Sequence, residues 1–280
     1  MQQRKPKLVH AGVDWLTATC TQRESAELMR PIALALADVQ LHNGYFGRPW
    51  SQSGYEGFNV GHVQFGERPD GCCIRLGSYM AQAHWRRCYE VADNVTRFDV
   101  AATFQYESDV AKVIQAYYAP LRLWSKDHGG KPMVSMLCDS AGSRTVYSGR
   151  RSSDLFGRIY DKGRESGLAQ YDRCVRYEWE LKGKRSRVLA FEVFRNGTQS
   201  HDLAHYVVNL FSKRGVCLQP ELKSLRPSRT IVHPQASVCV TDVQRSLQWL
   251  RSCVGPTVER LSQHLTADEI FDALRLSSQN

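Results

Sequence analysis

The segment CVRYEWELKG (174–183) constrains the fold of this chain more than any other stretch. It repeats with a period of two: Arg176, Glu178, Glu180 and Lys182 alternate with Tyr177, Trp179 and Leu181. Successive side chains of a strand point to opposite faces, so the charges share one face and the large apolar groups share the other. The aromatic face belongs on a core. TRFDVAATFQY (96–106) sorts in the same way, with Phe98, Val100, Ala102 and Phe104 opposed to Arg97, Asp99, Ala101 and Thr103. LVHAGVDWLTATC (8–20) is rich in β-branched and apolar residues and holds Asp14 in mid-strand.

Helical spacing separates these strands. It is read in RESAELMRPIALALADVQLH (23–42), where Pro31 marks a helix start or a kink, in AQAHWRRCYEVA (81–92), and in 109–124 with Asp109 as cap. Residues 43–79 are dense in glycine and aromatics and predict short strands joined by turns. RTVYSG and GRIYDK predict two further strands around the basic turn GRRSSDLF. From about residue 200 helical periodicity dominates, and Thr266 and Glu269 have capping-box spacing. No internal repeat is visible. The expectation is an α+β body over 1–199 and a helical C-terminal region over 200–280, the latter serving specificity, dimerisation or contact with a host factor.

The charge balance narrows the partners. Thirty-seven Lys and Arg against 28 Asp and Glu give a net +9. Between Ser143 and Arg187 there are 12 basic and 6 acidic residues, so this stretch alone supplies +6. Such a patch points to a polyanion, nucleic acid first. The nine cysteines form no C-x-x-C pair, which supports neither a zinc site nor a disulfide framework. The basic N-terminus is followed by no apolar segment, and no run of about 18 apolar residues occurs. No membrane association and a cytoplasmic location are expected.

Three strands with acids on a polar face raise the question of chemistry. Glu178 and Glu180 stand side by side, and like charges so close need a cation. Arg and Lys neighbours would make a solvated structural network; a divalent metal would make a site of oxygen ligands. In FGRIYDK the alternation places Phe156, Arg158, Tyr160 and Lys162 on one face. A phenol between two cations has its phenolate favoured, which suits a nucleophile on a phosphodiester. Tyr160 is otherwise a core aromatic or a phosphate-binding hydroxyl. Tyr147, which flanks the same turn, is the competing nucleophile. HDLAH (201–205) lacks the glutamate of a metalloprotease helix and is read as surface or packing.

The run GSRTVYSGRRSSDLFGRIYDKGRES (142–166) followed by RYEWELKGKRS resembles the Rep_trans replication initiation factors of rolling-circle plasmids and filamentous phages, which have relatives among relaxases of integrative elements. AGVDWLTATC and TRFDVAATF are similar to strands of that family, so the resemblance covers roughly residues 8–195 in order. It implies a largely antiparallel sheet with flanking helices and an origin-specific DNA nicking and joining activity. Tyr160 matches the tyrosine of the family's R-I-Y-[DN]-K motif, which forms a 5′-phosphotyrosyl link and frees a 3′-hydroxyl for priming, with Arg158 and Lys162 beside it. The resemblance further implies Mg²⁺ or Mn²⁺ held by strand acids, for which Asp99, Glu178, Glu180 and Asp14 are the candidates. Arg144, Arg150, Arg151, Lys182, Lys184 and Arg185 are the expected DNA contacts. The partners implied are origin DNA, a host helicase with its replication machinery, and a second copy of the chain. A mobilisation relaxase, a non-cutting DNA-binding regulator and an RNA-binding module are the other readings.

Overall fold

The computed structural model describes residues 6–140 and 142–231, and Ser262, Leu265, Thr266 and Glu269 beyond them. The chain divides into two compact units, Met1–Pro234 and Gln235–Asn280. The first unit is built on one sheet of ten strands, every neighbouring pair antiparallel. Its elements are β1 (Lys7–Cys20), α1 (Arg23–His42), β2 (Gly47–Gln52), β3 (Tyr55–Val60), β4 (Val63–Arg68), β5 (Gly71–Gly77) and α2 (Ser78–Val91). There follow β6 (Asn94–Gln105), α3 (Val110–Asp127), β7 (Val134–Cys138), β8 (Arg144–Ser148), β9 (Leu155–Asp161), the short α4 (Lys162–Ser166), β10 (Cys174–Lys182) and α5 (Gly183–Arg195). Two further helices, α6 (Ser200–Ser212) and α7 (Gln219–Ser224), close the unit.

The element order repeats. A long strand, a helix, four strands and a helix appear first as β1–α1–β2 to β5–α2 and again as β6–α3–β7 to β10–α5, with α4 as an insertion. In each half the last strand returns to pair with the first, which gives the order β2-β3-β4-β5-β1-β6-β10-β9-β8-β7. The sheet is thus two meanders joined along β1 and β6. No residue pattern betrays this repeat, because the halves share topology and not side chains.

The helices cover one face. Phe98 meets Trp85 of α2 at 5.2 Å between ring centroids, Trp179 meets Phe211 of α6 at 4.2 Å, and Tyr177 meets Tyr117 of α3 at 6.0 Å. The alternating aromatic faces of β6 and β10 therefore lie where the pattern puts them, fully buried. Gly157 is set opposite Trp179, and a Cβ there would stand 2.6 Å from the indole. That packing explains the glycine before Arg158. Asp109 caps α3, accepting from the backbone N–H of Ala111 at 2.9 Å and of Lys112 at 3.4 Å. Pro31 lies inside α1, which runs through it.

The boundary expected between 199 and 200 falls within packed structure. Val207, Val208 and Phe211 of α6 are buried against the sheet, and Trp179 Nε1 donates to Val207 O at 3.0 Å, which carries the first unit to Pro234. His201 of HDLAH accepts from the Arg226 N–H at 3.2 Å, a packing role. Thr266 and Glu269 exchange the reciprocal capping bonds, while residues 232–261, within the stretch of helical periodicity, lie outside the described residues. Among the described residues no helix is long and apolar enough to cross a membrane.

Candidate active site

On the other face of the sheet the charged positions of three central strands come together. Register sets the arrangement: Glu180 lies opposite Asp99, Glu178 opposite Arg158 and Ala101, and Arg176 opposite Tyr160 and Thr103. Directly opposed residues of antiparallel strands project to the same side. One face therefore holds Asp99, Arg176, Glu178, Glu180, Arg158 and Tyr160. Asp14 joins by a different device. Val13 pairs with Val100 and Trp15 with Asp99, so Asp14 is the extra residue of a bulge, and it pairs with Arg176.

The four acids divide into two groups, each built around an arginine. Arg97 Nη2 lies 2.6 Å from Asp99 Oδ2 and 2.9 Å from Glu180 Oε2, while Glu180 Oε1 receives Lys182 Nζ at 2.7 Å. Arg176 binds Asp14 and stands 3.9 Å from Glu178 Oε2. Glu178 Oε1 is bound by Arg158, and Glu178 Oε2 accepts the Tyr160 hydroxyl at 3.1 Å. Asp99, Glu178, Glu180 and Arg176 are at most 3% exposed, whereas the side chains of Arg97, Arg158 and Asp14 keep 22–28% of their surface in solvent. The buried carboxylates thus open outward through arginines and the half-buried Tyr160.

The phenol is not the one the alternation predicts. Burial raises the Tyr160 hydroxyl well above its ordinary pKa, Glu178 adds to this, and Arg176 opposes it. Arg158 is committed to Glu178, its guanidinium carbon 5.9 Å from the Tyr160 ring. Lys162 is no longer on the strand. Asp161 accepts from the Arg164 N–H at 3.0 Å and starts α4, which turns Lys162 toward Glu165 at 2.5 Å and over the Tyr171 ring. Tyr160 is therefore a neutral phenol with its proton aimed at a carboxylate. Tyr147 lies opposite Arg158 and stacks on Phe156 at 5.6 Å, whereas Tyr160 bonds to an acid, Glu178.

Burial also raises Asp99, to about 8, against the pull of Arg97. His10, opposite Thr103, faces the same cluster; burial and Arg176 lower its pKa. His10, Arg97 and Arg176 are the members that pattern reading left out of the site, although Arg97 and Arg176 alternate with the acids in sequence and share their face. Among the described residues no three His, Cys, Asp or Glu side chains form a ligand cluster. Asp99 and Glu180 nonetheless direct one oxygen each at a single cation, the Arg97 Nη2. Two carboxylate oxygens converging on one cation are a donor set that suits Mg²⁺ or Mn²⁺, whose remaining positions water and phosphate oxygens fill.

The expected DNA contacts scatter. Arg144 donates to Ala111 O at 2.9 Å and serves to hold α3. Arg150 and Arg151 are exposed in the β8–β9 turn, and Lys182 donates to Arg151 O, so the turn is tied to the start of α5, where Lys184 is exposed and Arg185 half-buried. These residues form a corner next to Glu180, set apart along the strands from Tyr160.

The replication initiation factor family, Rep_trans, matches residues 93–273. Among solved structures, a rolling circle replication initiator protein from Geobacillus stearothermophilus is similar in fold, with a TM-score of 0.51 and 16% identity, covering 79% of this chain and 92% of that one. Curated protein sequences give no match.

Proposed function

The chain belongs to the replication initiation factor family, and on that premise we propose that it nicks and rejoins DNA at a replication origin through Tyr160. The carrying observation is the Tyr160 hydroxyl donating to the buried Glu178 carboxylate at 3.1 Å, with Arg158 on the other oxygen of that carboxylate. In this reading Tyr160 Oη attacks a backbone phosphorus as its proton passes to Glu178 Oε2. The bond from phosphorus to the 3′-oxygen breaks and that oxygen takes a proton from solvent water, leaving a 5′-phosphotyrosyl link and a free 3′-hydroxyl. Arg158 and the exposed edge of Arg97 face the phosphate and offset its charge as it builds. Rejoining is the reverse: a 3′-hydroxyl gives its proton to solvent water and displaces Tyr160, which recovers its proton from Glu178.

Asp99 and Glu180 are the residues that would hold Mg²⁺ or Mn²⁺, and the ion would supply Lewis-acid polarisation of the phosphate. The protein's own part is orientation. Arg176 fixes Glu178 from one side and Arg158 from the other, so the acceptor oxygen stays on the phenol. The rolling-circle mode, a bacterial cytoplasm as its setting, and a role for residues beyond Pro234 in origin specificity, dimerisation or helicase contact belong to the same proposal. The test is a labelled origin oligonucleotide mixed with full-length protein and Mn²⁺. A covalent adduct stable on a denaturing gel is expected; its persistence in Tyr160→Phe would overturn the assignment, and its persistence in EDTA would remove the metal.

A further inference from the structure

Asp99, Glu178, Glu180 and Tyr160 lie in the second half of the open face. Among the described residues the first half adds Asp14 of β1 beside Arg176, and its strands β2 to β5 place no carboxylate there: Glu56 and Glu67 of β3 and β4 pair with each other, and Arg30 of the helix α1 reaches Glu67 at 3.6 Å, which puts both on the helix-covered side. On the open side a row of directly opposed residues crosses seven strands. It runs Arg48, Asn59, Gln64, Arg75, Thr17, Arg97 and Lys182, from the sheet edge at β2 to β10. At about 4.8 Å per strand the row is roughly 29 Å long. Four of its members are cations and none is an acid. It ends in the candidate active site, where Arg97 and Lys182 pair with Asp99 and Glu180.

Two indoles lie along the row. Trp50 is set over Gly66, where a Cβ would come within 2.6 Å of the ring, and Trp15 over Gly77, where the distance would be 2.9 Å. Glycine at both places lets each ring lie flat on the sheet. The Arg75 guanidinium stands 5.0 Å from the Trp50 centroid and that of Arg97 4.8 Å from Trp15. Asn59 Oδ1 and Arg75 Nε have no hydrogen-bond partner, and Arg75 Nη1 donates to the neutral Gln52 Oε1 at 2.5 Å.

We propose that this row is a binding track for single-stranded DNA, which takes the phosphates on Arg48, Arg75 and Arg97 and stacks bases on Trp50 and Trp15. A cationic line with flat aromatics is the arrangement that binds single strands without reading their sequence. The width of two meanders then has a use: the first half holds the strand that the second half cuts. The direction of the strand's function rests on the nicking proposal, but the track itself does not.

The probe is fluorescent oligothymidylate, measured by anisotropy with the full chain carrying Tyr160→Phe so that no cutting intervenes. Trp50→Ala is expected to weaken binding about tenfold, the order of one lost base–aromatic stack, and Arg75→Gln weakens it through a lost phosphate contact. Each lost phosphate contact also flattens the salt dependence by about 0.7 in log–log slope. Arg48→Glu, exposed at the sheet edge, gives the same direction with no packing to disturb. In chains that keep Tyr160, cleavage of an oligonucleotide long enough to reach β2 falls more than cleavage of one that ends just past the cut. Unchanged binding in Arg48→Glu and in folded Trp50→Ala overturns the track, as does an equal loss for blunt duplex DNA. If the Tyr160 chain forms no adduct while these variants still lose binding, the nicking proposal falls and the track stands.

Discussion

Arg75 on β5 and Glu180 on β10 occupy matching places in the two halves of the sheet. Each stands two residues before the cap of the helix that follows, Gly77 before α2 and Lys182 before α5. Two residues earlier, Cys73 matches Glu178 in the same way. One scaffold has been used twice, with acids in the half that contains Tyr160 and a cation and a thiol in the half that contains Trp50. The backbone therefore does not determine chemistry here. What differs is which side chain the open face receives at each pleat, and the hidden face is free to hold either half together with apolar groups.

The largest expected effect tests that asymmetry at the phenol. Tyr160→Phe should lower nicking by on the order of 10³-fold or more with the chain still folded, because the half-buried ring is kept while the nucleophile and its bond to Glu178 are lost. Tyr55→Phe on β3, whose ring receives Arg68 at 4.7 Å in the first half, should leave nicking at the parent rate. Equal losses would break the comparison. Glu178→Gln comes next, at about 10²- to 10³-fold, the usual share of a positioned proton acceptor. Its counterpart Cys73→Ala should cost no nicking per folded molecule. Single-turnover gels on both pairs of variants provide the measurement.

How far the sequence foretold this asymmetry depends on what kind of information each feature needs. Period-two alternation is local, so the faces of 96–106 and 174–183, and with them Asp99, Glu178 and Glu180, could be assigned without a structure. Which arginine meets which acid is a matter of register. Nothing within TRFDV says that Asp99 will stand opposite Glu180 and share Arg97 with it. The bulge at Asp14 is one extra residue between two pairings, invisible in a strand read alone. Lys162 leaves the strand because Asp161, a strand residue by pattern, caps a helix. Burial is the other missing quantity: two cations near Tyr160 in sequence suggested an acidic phenol, whereas the folded site buries it against Glu178.

The halves also differ in what lies beneath the open face. In the first, Cys20 and Cys72 face each other across β1 and β5, both fully buried. In the second, the Tyr106, Tyr117 and Tyr177 hydroxyls gather on Glu221 of α7, with Tyr117 donating at 2.9 Å and Tyr177 at 3.3 Å. A buried polar cluster is costly to leave half satisfied. Glu221→Leu should therefore destabilise the fold by about 1–3 kcal/mol in denaturant unfolding, while nicking per folded molecule is retained. This separates the two tyrosine–glutamate contacts on the opposite faces of β10: one holds the fold, the other is proposed to act on DNA. A nicking defect in Glu221→Leu at full folding would show that the two faces are coupled.

The smallest expected effect concerns the matching first helices. The α3 N-terminus carries its own cap, Asp109, whereas Gln22 at the start of α1 makes no side-chain cap bond. Asp93, reached across the fold from the start of β6, replaces it: its carboxylate accepts from the Thr21 N–H at 2.6 Å, the Gln22 N–H at 3.0 Å and the Ser25 hydroxyl at 2.8 Å. Burial works to raise the Asp93 pKa, but the bonds from Ser25, Thr21 and Gln22 outweigh it and hold the carboxyl below its ordinary value. A carboxyl lowered by folding contributes stability above the unfolded value, near pH 4, and loses it as pH falls through the lowered folded value. Asp93→Ala and Asp109→Ala should each cost about 1 kcal/mol at pH 7, the usual worth of a cap. The cost of Asp93→Ala should then shrink as urea unfolding is repeated below about pH 4, because the parent loses the same bonds to protonation. A cost for Asp93→Ala that stays constant into acid would mean that the carboxylate is not the cap, and that α1 and α3 begin by unrelated means.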